Sequence, residues 1–546
     1  MNENGIATRR HVEPIIADLV REVPQKMREN NIPGLSMALV SREGTIWTGC
    51  FGYTDMAKVQ EVNVDTLFSL QSTTKTVTSV AFLLAVQKGL VKLDDSLVDY
   101  YPEFTVNSRY GKDEYRKISF RHLLSHSSGL AMEARVGGVF NSDPCSFEEH
   151  VQSISDSWLK FPVGTGFSYS NVGMNIVAYA LERVTRMRYP EYVQKALGDP
   201  LGITFCYDTQ KVHEMHNAAK GHLGKRQALP VDPVGLGCGA AHLSIKDQAV
   251  FIRFLLNSGA FNGRQILYPN YVNEMRSSDK EGWYGLGTFI GSDCGAVFCY
   301  HPGGGFGLRS ELYWFPTFDF GVAAFANQEY EKYLSPLIKK VFRLVLQEKG
   351  VNPEATDFPY KDAQFKEINS RSLENLEGVY IGTWNTVTIK LDEEKLYLAY
   401  PRRKAELRPY SATAFGAKSS KGVVFQLDEK GSPVSMKIYS ENLGVLHMNY
   451  LGKPSQERGP KRKAWSRFTG KYTMIIYGTI HTSIDVKVDL DGYLHLEGRS
   501  NERLYEHPSI PGLFFTYEGD AVIFEHDHML YGNTKWRRRL SKSRYE

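Results

Sequence analysis

A repeat in the last third of the chain limits its fold more than any other feature. The stretch LEGVYIGTWNTVTIKLDEEKLYLAY beginning at Leu376 matches FTGKYTMIIYGTIHTSIDVKVDLDGYLHL beginning at Phe468. Each copy opens on Gly-x-Tyr (Gly378 and Tyr380; Gly470 and Tyr472), follows an alternating run to an aspartate (Asp392; Asp489), turns, and starts a second run. Alternation with a period of two gives a strand one apolar and one polar face, so these runs read as antiparallel strands. Two copies predict two small antiparallel barrels or meanders, parted near GKPSQERGPKRKAWSR at 452–467. Packing against the rest of the protein is the plainer role for them; ligand binding is the alternative.

At 546 residues the chain exceeds one ordinary core, so the barrels are only part of it. Just ahead of them VNPEATDFPYKDAQFKEINSRS, residues 351–372, is polar and aperiodic and reads as a linker. Earlier, Val12, Ile15, Ile16, Leu19, Val20, Val23 and Met27 recur at helical spacing, which predicts an amphipathic helix over 11–30. LSMALVSREGTIWTGCFGYTD then reads as a hairpin turning at Arg42-Glu43-Gly44. Helical patterns fill 70–200, strand-like runs return at 284–290, 296–300, 308–315 and 320–326, and YLSPLIKKVFRLVLQEKG closes the region as a helix. The expected organisation is an α/β domain over 1–350, the linker at 351–372, and β-barrels over 373–455 and 456–546.

Composition narrows the function classes. With 42% hydrophobic and 23% charged residues the chain reads as soluble and globular. A net charge of +4 gives no case for nucleic acid, and the basic run Lys535 to Arg539 reads as a solvated strand end. The opening MNENGIATRRHVEPIIADLV lacks an apolar signal core, and no later window is long and apolar enough to span a bilayer. Six cysteines (Cys50, Cys145, Cys206, Cys238, Cys294, Cys299) without a CxxC pair argue for reduced thiols. A cytoplasmic protein without a membrane partner is the expectation.

LQSTTKTVTSVAFLLAVQKG, residues 70–89, places Ser72 three residues before Lys75 where an apolar run begins. As a bland reading, Ser and Thr cap helices and Lys is an ordinary helix residue. The chemical reading puts both side chains on one face of a first turn. Backbone dipoles there suit a developing negative charge. A serine becomes a nucleophile only with a base in hydrogen-bond reach, and a lysine serves only if burial or a neighbouring cation lowers its pKa. Two further stretches supply the rest of a site. PVGTGFSYSNVGMNIVAYALERVT carries Tyr169-Ser170-Asn171 between a glycine-rich loop and a helix, and YHPGGGFGLRSELYWFP carries His301-Pro302-Gly303 between strands.

Together Ser72-x-x-Lys75, Tyr169-x-Asn171 and His301-x-Gly303 resemble the three motifs of the serine β-lactamase and penicillin-binding protein superfamily, in its class C-like branch. ISFRHLLSHSSGL at 118–130 and GLGCGAAHLSIKDQAVFIRFLLNSG at 235–259 resemble the flanking stretches of that branch, and the likeness runs over about 11–345. It implies an antiparallel sheet flanked by helices with a helical subdomain. The two C-terminal barrels, lipocalin-like in form, complete a layout similar to D-aminopeptidases of the superfamily. It also implies that Ser72 is the nucleophile, with Lys75 and Tyr169 moving its proton. Asn171 holds Lys75 or a substrate amide, and the N–H groups of Ser72 and Gly304 form the oxyanion hole. Gly303 lets the edge strand approach the substrate. No glutamate in the manner of the class A enzymes is apparent, so water activation falls to Tyr169.

His301 stands where lysine is more usual. With an ordinary value near 6.5 it is expected to change charge in the neutral range, the neutral form being the working one. Arg309 stands where a small serine is usual, and reads either as a cation for a substrate carboxylate or as a solvated or internally paired arginine. His122 and His126 tempt as an i, i+4 metal pair, but no acidic third ligand is near; neither metal nor cofactor is expected. His526-Asp527-His528 reads as a polar strand end.

The expected activity is that of a serine hydrolase cleaving an amide or ester through a Ser72 acyl-enzyme. Its partner is a small-molecule or short-peptide substrate of D-amino-acid, ester or β-lactam type. An acyltransferase or peptide macrocyclase of secondary metabolism is the rival within the same chemistry. A non-catalytic binding protein that keeps the fold is the rival outside it. Oligomeric state is left open.

Overall fold

The structure is a computed structural model. It describes residues 9–539 apart from 139–143, 229–233, 279–282, 294–295, 330–331, 352–357, 361–362, 369–372, 382–385, 401–402, 418–419, 441–443, 454–462, 477–478, 490–491 and 499–501. Cys294, much of the stretch between the barrels and parts of the expected linker lie outside the described residues.

The first domain is built from α1 (Arg9–Glu29), β1 (Gly34–Val40), β2 (Thr45–Gly52), α2 (Thr74–Gln87), α3 (Asn171–Thr185), α4 (Ile245–Leu256), β3 (Phe289–Asp293), β4 (Ala296–Gly305), β5 (Leu308–Phe315), β6 (Phe320–Ala326) and α5 (Leu334–Glu348). The six strands form one antiparallel sheet in the order β2-β1-β6-β5-β4-β3. The opening hairpin therefore joins the sheet beside its last strand, with Leu35 opposite Ala326. Period-two alternation sorts the sheet into two cores. Ala38 and Val40 face α2 and α4, whereas Met37 and Leu39 face α1 and α5. Buried on both faces, β1 is apolar at every position but Ser36. Helix α1 seats Val12, Ile15, Leu19, Val23 and Met27 on the sheet, while Val20, counted in its stripe by spacing, is exposed. Short helices between α2 and α3 make the helical subdomain.

One strand differs from expectation. The run at 284–290 becomes strand only from Phe289, because the chain before it is pressed onto α2. A Cβ at Gly287 would lie 2.0 Å from Ser79 Oγ, and the Gly287 carbonyl accepts from Thr76 Oγ1 at 2.9 Å.

Each repeat folds into a closed eight-stranded antiparallel barrel with strands in sequence order, one from Gly378 to Gly452 and one from Gly470 to Arg538. The repeated Gly-x-Tyr performs the same task in both. Gly378 and Gly470 share a φ of +148°, which residues with a Cβ rarely adopt. Tyr380 and Tyr472 are buried and donate to the carbonyls of Leu376 (2.9 Å) and Phe468 (3.0 Å), latching the first strand to the turn before it. Within the expected linker Phe358 is buried against Tyr410 and Tyr439 of the first barrel, so that segment is docked.

Both barrels pack on the first domain. In the second, Phe515 meets Trp158 edge-on at 5.6 Å and Asp520 pairs with Lys160 at 2.9 Å. Asn533 Nδ2 donates to the Glu133 carbonyl (2.9 Å) and to Ser157 Oγ (2.7 Å). His528 opens a strand of this barrel and bonds Asp527. No helix among the described residues is long and apolar enough to cross a membrane.

Candidate active site

Ser72 lies in a single 3₁₀ turn, Gln71–Thr73, that runs directly into α2. The capping reading fails, since neither that turn nor α2 receives a side-chain cap at its start. Ser72 Oγ instead accepts from Lys75 Nζ at 3.1 Å. Lys75 also donates to the Cys238 carbonyl at 2.9 Å, and its Nζ lies 4.7 Å from the Tyr169 ring centroid. It is fully buried and, among the described residues, forms no ion pair. A buried lysine that meets a hydroxyl, a carbonyl and an aromatic ring, with no carboxylate paired to it among the described residues, is expensive, which argues against a purely structural role.

Tyr169 and Asn171 flank Ser170, which caps α3 by accepting from Gly173 N–H at 3.0 Å. Ser170 is itself anchored: its Oγ donates to the Ala131 carbonyl at 2.7 Å and its N–H to His126 Nδ1 at 3.2 Å. One cap thus fixes both motif side chains. Burial holds the Tyr169 phenol above its ordinary value, although the Lys75 ammonium and Ser72 hydroxyl pull the other way. Tyr169 therefore rests as a phenol.

His301 is buried, and its hydrogen bonds run to Tyr284 and Pro302, not to Ser72 or Tyr169. Its Nδ1 lies 2.7 Å from the Pro302 carbonyl, which makes Nδ1–H the donor and leaves Nε2 to accept from Tyr284 at 3.4 Å. Desolvation, reinforced by the charge of Lys75, pushes its imidazole down to about 3. The expectation of a charge change in the neutral range is corrected: the ring is neutral throughout it. Its surroundings are the aromatic wall of Phe167, Tyr169, Trp283, Tyr284 and Phe289.

Strand β4 loses its outer partner after Tyr300, leaving an open edge from His301 to Gly305. Gly303 lets that edge touch the Ser72 turn: a Cβ there would lie 2.2 Å from Ser310 Oγ and 2.5 Å from the Leu70 carbonyl oxygen. Ser310 Oγ donates to the same carbonyl at 2.5 Å and clamps strand to turn. Alternation puts His301 and Gly303 on the Ser72 side and Pro302 and Gly304 on the other. Arg309, opposite Gly304, shares that other side, so its guanidinium is across the sheet from Lys75. It lies 3.4 Å from Glu311, a fully buried carboxylate that also accepts from Ser335 Oγ at 2.5 Å. A buried anion two residues along the same face accounts for the arginine.

A cavity of about 600 Å³ joins these parts. It is lined by Gln71, Ser72, Tyr169, Asn171, Gly303 and Gly304, and wraps the open edge to reach Arg309 and the first barrel's Val445 and Leu446. Its wall includes Glu133, which sequence reasoning passed over. Glu133 is buried, and its Oε1 accepts from Asn171 Nδ2 at 2.5 Å. Asn171 thus holds a carboxylate rather than Lys75, and a glutamate does stand at this site. The available signal was an acid three residues beyond the SSGL stretch. His122 Nδ1 lies 3.1 Å from the Ser119 N–H, in a helix cap, and His126 supports Ser170, so both rings have structural work. Among the described residues no group of three or more His, Cys, Asp or Glu is placed to hold a metal ion.

Comparison with known proteins agrees with this architecture. The Beta-lactamase family profile matches residues 17–341. Beta-lactamase-like protein 2 of Dictyostelium discoideum is 26% identical over 269 residues, 47% of this chain and 48% of that protein. Unguisins hydrolase ungD' of Aspergillus campestris is 27% identical over 58% of this chain and 62% of its own length. Protein flp of Staphylococcus aureus is 23% identical over 62% of this chain and 68% of its own. The chain thus spans about half the length of the first of these relatives and less than two thirds of the second. Among solved structures, the octameric penicillin-binding protein homologue from Pyrococcus abyssi shares the fold at a TM-score of 0.53 and 21% identity, covering 79% of this chain and 99% of its own. SurE does so at 0.58 and 19%, covering 81% and 98%. With the family profile spanning more than half of it, the chain belongs to the Beta-lactamase family.

Proposed function

We propose that the protein is a serine hydrolase of the class C-like branch, cleaving an amide or ester of D-amino-acid, simple ester or β-lactam type through a Ser72 acyl-enzyme. The observation that carries this reading is the buried, ion-pair-free Lys75 bonded to Ser72 Oγ. In this reading Ser72 Oγ attacks the carbonyl and its proton passes to the Lys75–Tyr169 unit. The C–O or C–N bond breaks as that proton reaches the leaving group. Water, deprotonated by the same unit, then releases the acyl group and restores Ser72. The N–H groups of Ser72 and Gly304 receive the oxyanion; the close contact of Gly303 with the Ser72 turn supports that pairing. His301 acts as a positioning residue in the aromatic wall.

The test is intact-mass analysis after treatment with a fluorophosphonate and with p-nitrophenyl acetate. A single adduct on Ser72, absent from Ser72→Ala while the fold persists, is expected. Unchanged ester turnover in Ser72→Ala refutes the reading.

A further inference from the structure

Lys75 hangs on the Cys238 carbonyl, so whatever sets that carbonyl also sets the lysine beside Ser72. The carbonyl belongs to a tight turn, residues 235–240, in which the Gly235 carbonyl accepts from the N–H groups of Cys238 (3.1 Å), Gly239 (2.9 Å) and Ala240 (3.1 Å). With three bonds meeting on one oxygen, the turn moves as a unit. Two neighbours seat it. Thr78 Oγ1 of α2 donates to the Gly237 carbonyl at 2.6 Å, and Asn175 Oδ1 of α3 accepts from the Gly237 N–H at 3.0 Å. Gly237 lies so close to α3 that a Cβ there would stand 2.3 Å from the Met174 carbonyl oxygen. Asn175 is held in turn by His150, on the short helix Phe147–Gln152. His150 Nδ1 lies 2.7 Å from the Val136 carbonyl, which can only accept, so Nδ1 carries the proton. The neutral ring then leaves Nε2 to accept from Asn175 Nδ2 at 2.8 Å, and that donation obliges Oδ1 to face Gly237. Burial lowers the pKa of the ring, which keeps Nε2 an acceptor. Both side chains are buried. Every side-chain nitrogen and oxygen of the pair is thus used, in one order only, and a fully satisfied buried chain of this kind is rigid.

We propose that His150 and Asn175 are positioning residues for the nucleophile: they fix the 235–240 turn on α3 and so hold the Cys238 carbonyl where Lys75 stays on Ser72 Oγ. This deepens the hydrolase reading and rests on it. Their effect on Lys75 passes through the turn. The Thr78 bond remains when Asn175 is removed, so the turn tilts rather than leaves, and the loss is partial.

Inactivation of the full-length protein by a fluorophosphonate tests it. KI reads binding, and kinact reads the attack of Ser72 Oγ on phosphorus, with fluoride leaving and the serine proton passing to the Lys75–Tyr169 unit. Asn175→Ala should lower kinact about tenfold and leave KI unchanged, on the scale of one misplaced hydrogen bond. His150→Leu, which removes the acceptor, should do the same. His150→Gln, which offers Oε1 in place of Nε2, should recover most of kinact. Both His150 variants give up the bond to Val136 and should lower the urea midpoint, so a merely structural role predicts the same kinact for the two. Equal kinact in His150→Gln and His150→Leu overturns the proposal, as does a loss confined to KI, which would make the pair a ligand contact. If Asn175→Ala does not fold, the two His150 variants decide. An adduct on Ser72 with unaltered kinact in the variants overturns the proposal alone, whereas no adduct on the wild type refutes the hydrolase reading and the proposal with it.

Discussion

Substituting Gly303 with alanine tests how the open edge of β4 meets the Ser72 turn. The added Cβ would lie 2.2 Å from Ser310 Oγ, 2.5 Å from the Leu70 oxygen and 3.0 Å from Gln71 Cβ. Ordinary contact begins near 3.4 Å, so against Leu70 the strand must retreat by about 0.9 Å, the difference of 3.4 and 2.5. Ser310 cannot swing clear without surrendering its 2.5 Å bond to the same oxygen. Overpacking of this kind costs about 1–3 kcal/mol of stability, and a lost hydrogen bond adds about 1 kcal/mol. For catalysis the retreat carries the Gly304 N–H away from the oxyanion, and a displacement near 1 Å corresponds to about a 100-fold loss. Gly304→Ala is the comparison. Its Cβ points to the other face, where the nearest atom is the flexible tip of Arg309 at 2.7 Å, and it keeps its backbone N–H. Its loss should stay below about tenfold, the scale of a mild local adjustment. The assay is kcat/KM for p-nitrophenyl acetate, paired with urea unfolding of each variant. Gly303→Ala within threefold of wild type, or both variants equally impaired, would refute the reasoning.

Three further outcomes are expected. Lys75→Ala and Tyr169→Phe should each lower kcat by about two to four orders of magnitude, and the double variant should be little worse than the poorer single; additive losses in the same ester assay would separate the two roles. His301 stays neutral in the folded state down to about 3, whereas the unfolded chain protonates near 6.5, so the unfolded state binds more protons in between and stability falls as pH drops through that window, by up to about 1.4 kcal/mol per unit. Urea midpoints at pH 7 and 4.5 should accordingly converge in His301→Asn, while any acidic limb of kcat/KM between about pH 5 and 9 keeps its position; a limb that vanishes would show that the ring titrates there after all. Asn533→Ala, which frees the Glu133 carbonyl and Ser157 Oγ, should lower stability in urea by about 1–2 kcal/mol, on the scale of the two lost hydrogen bonds, with acylation by p-nitrophenyl acetate retained.

Much of the fold was legible because its signals are local. The short apolar run GLSMALV, the helical spacing of Val12 to Met27 and the repeated Gly-x-Tyr each report a nearby constraint, and each has the expected element. The Ser72, Lys75, Tyr169 and Asn171 side chains do gather at one place. What sequence did not disclose depends on long-range placement. The period of two could have placed Arg309 off the Ser72 face once the pairing of Gly303 with Ser310 was known, but pairing registers are not written in either strand. The neutrality of His301 comes from burial beside Lys75, a neighbour 226 residues earlier, the difference of 301 and 75. Glu133 carried no motif of its own, and its relation to Asn171 appears only when the loop before α3 folds back.

The bond from Asn533 to the Glu133 carbonyl joins residues 400 apart in the chain. That separation has a consequence in time. At about 5–20 residues per second of synthesis, some 20–80 seconds pass between the emergence of the loop and of the turn that braces it. The sheet imposes a shorter wait of the same kind, since Leu35 cannot find Ala326 until β6 is made. A nascent chain therefore carries every motif residue, from Ser72 to Gly304, well before Asn533 is made to brace the cavity wall at Glu133.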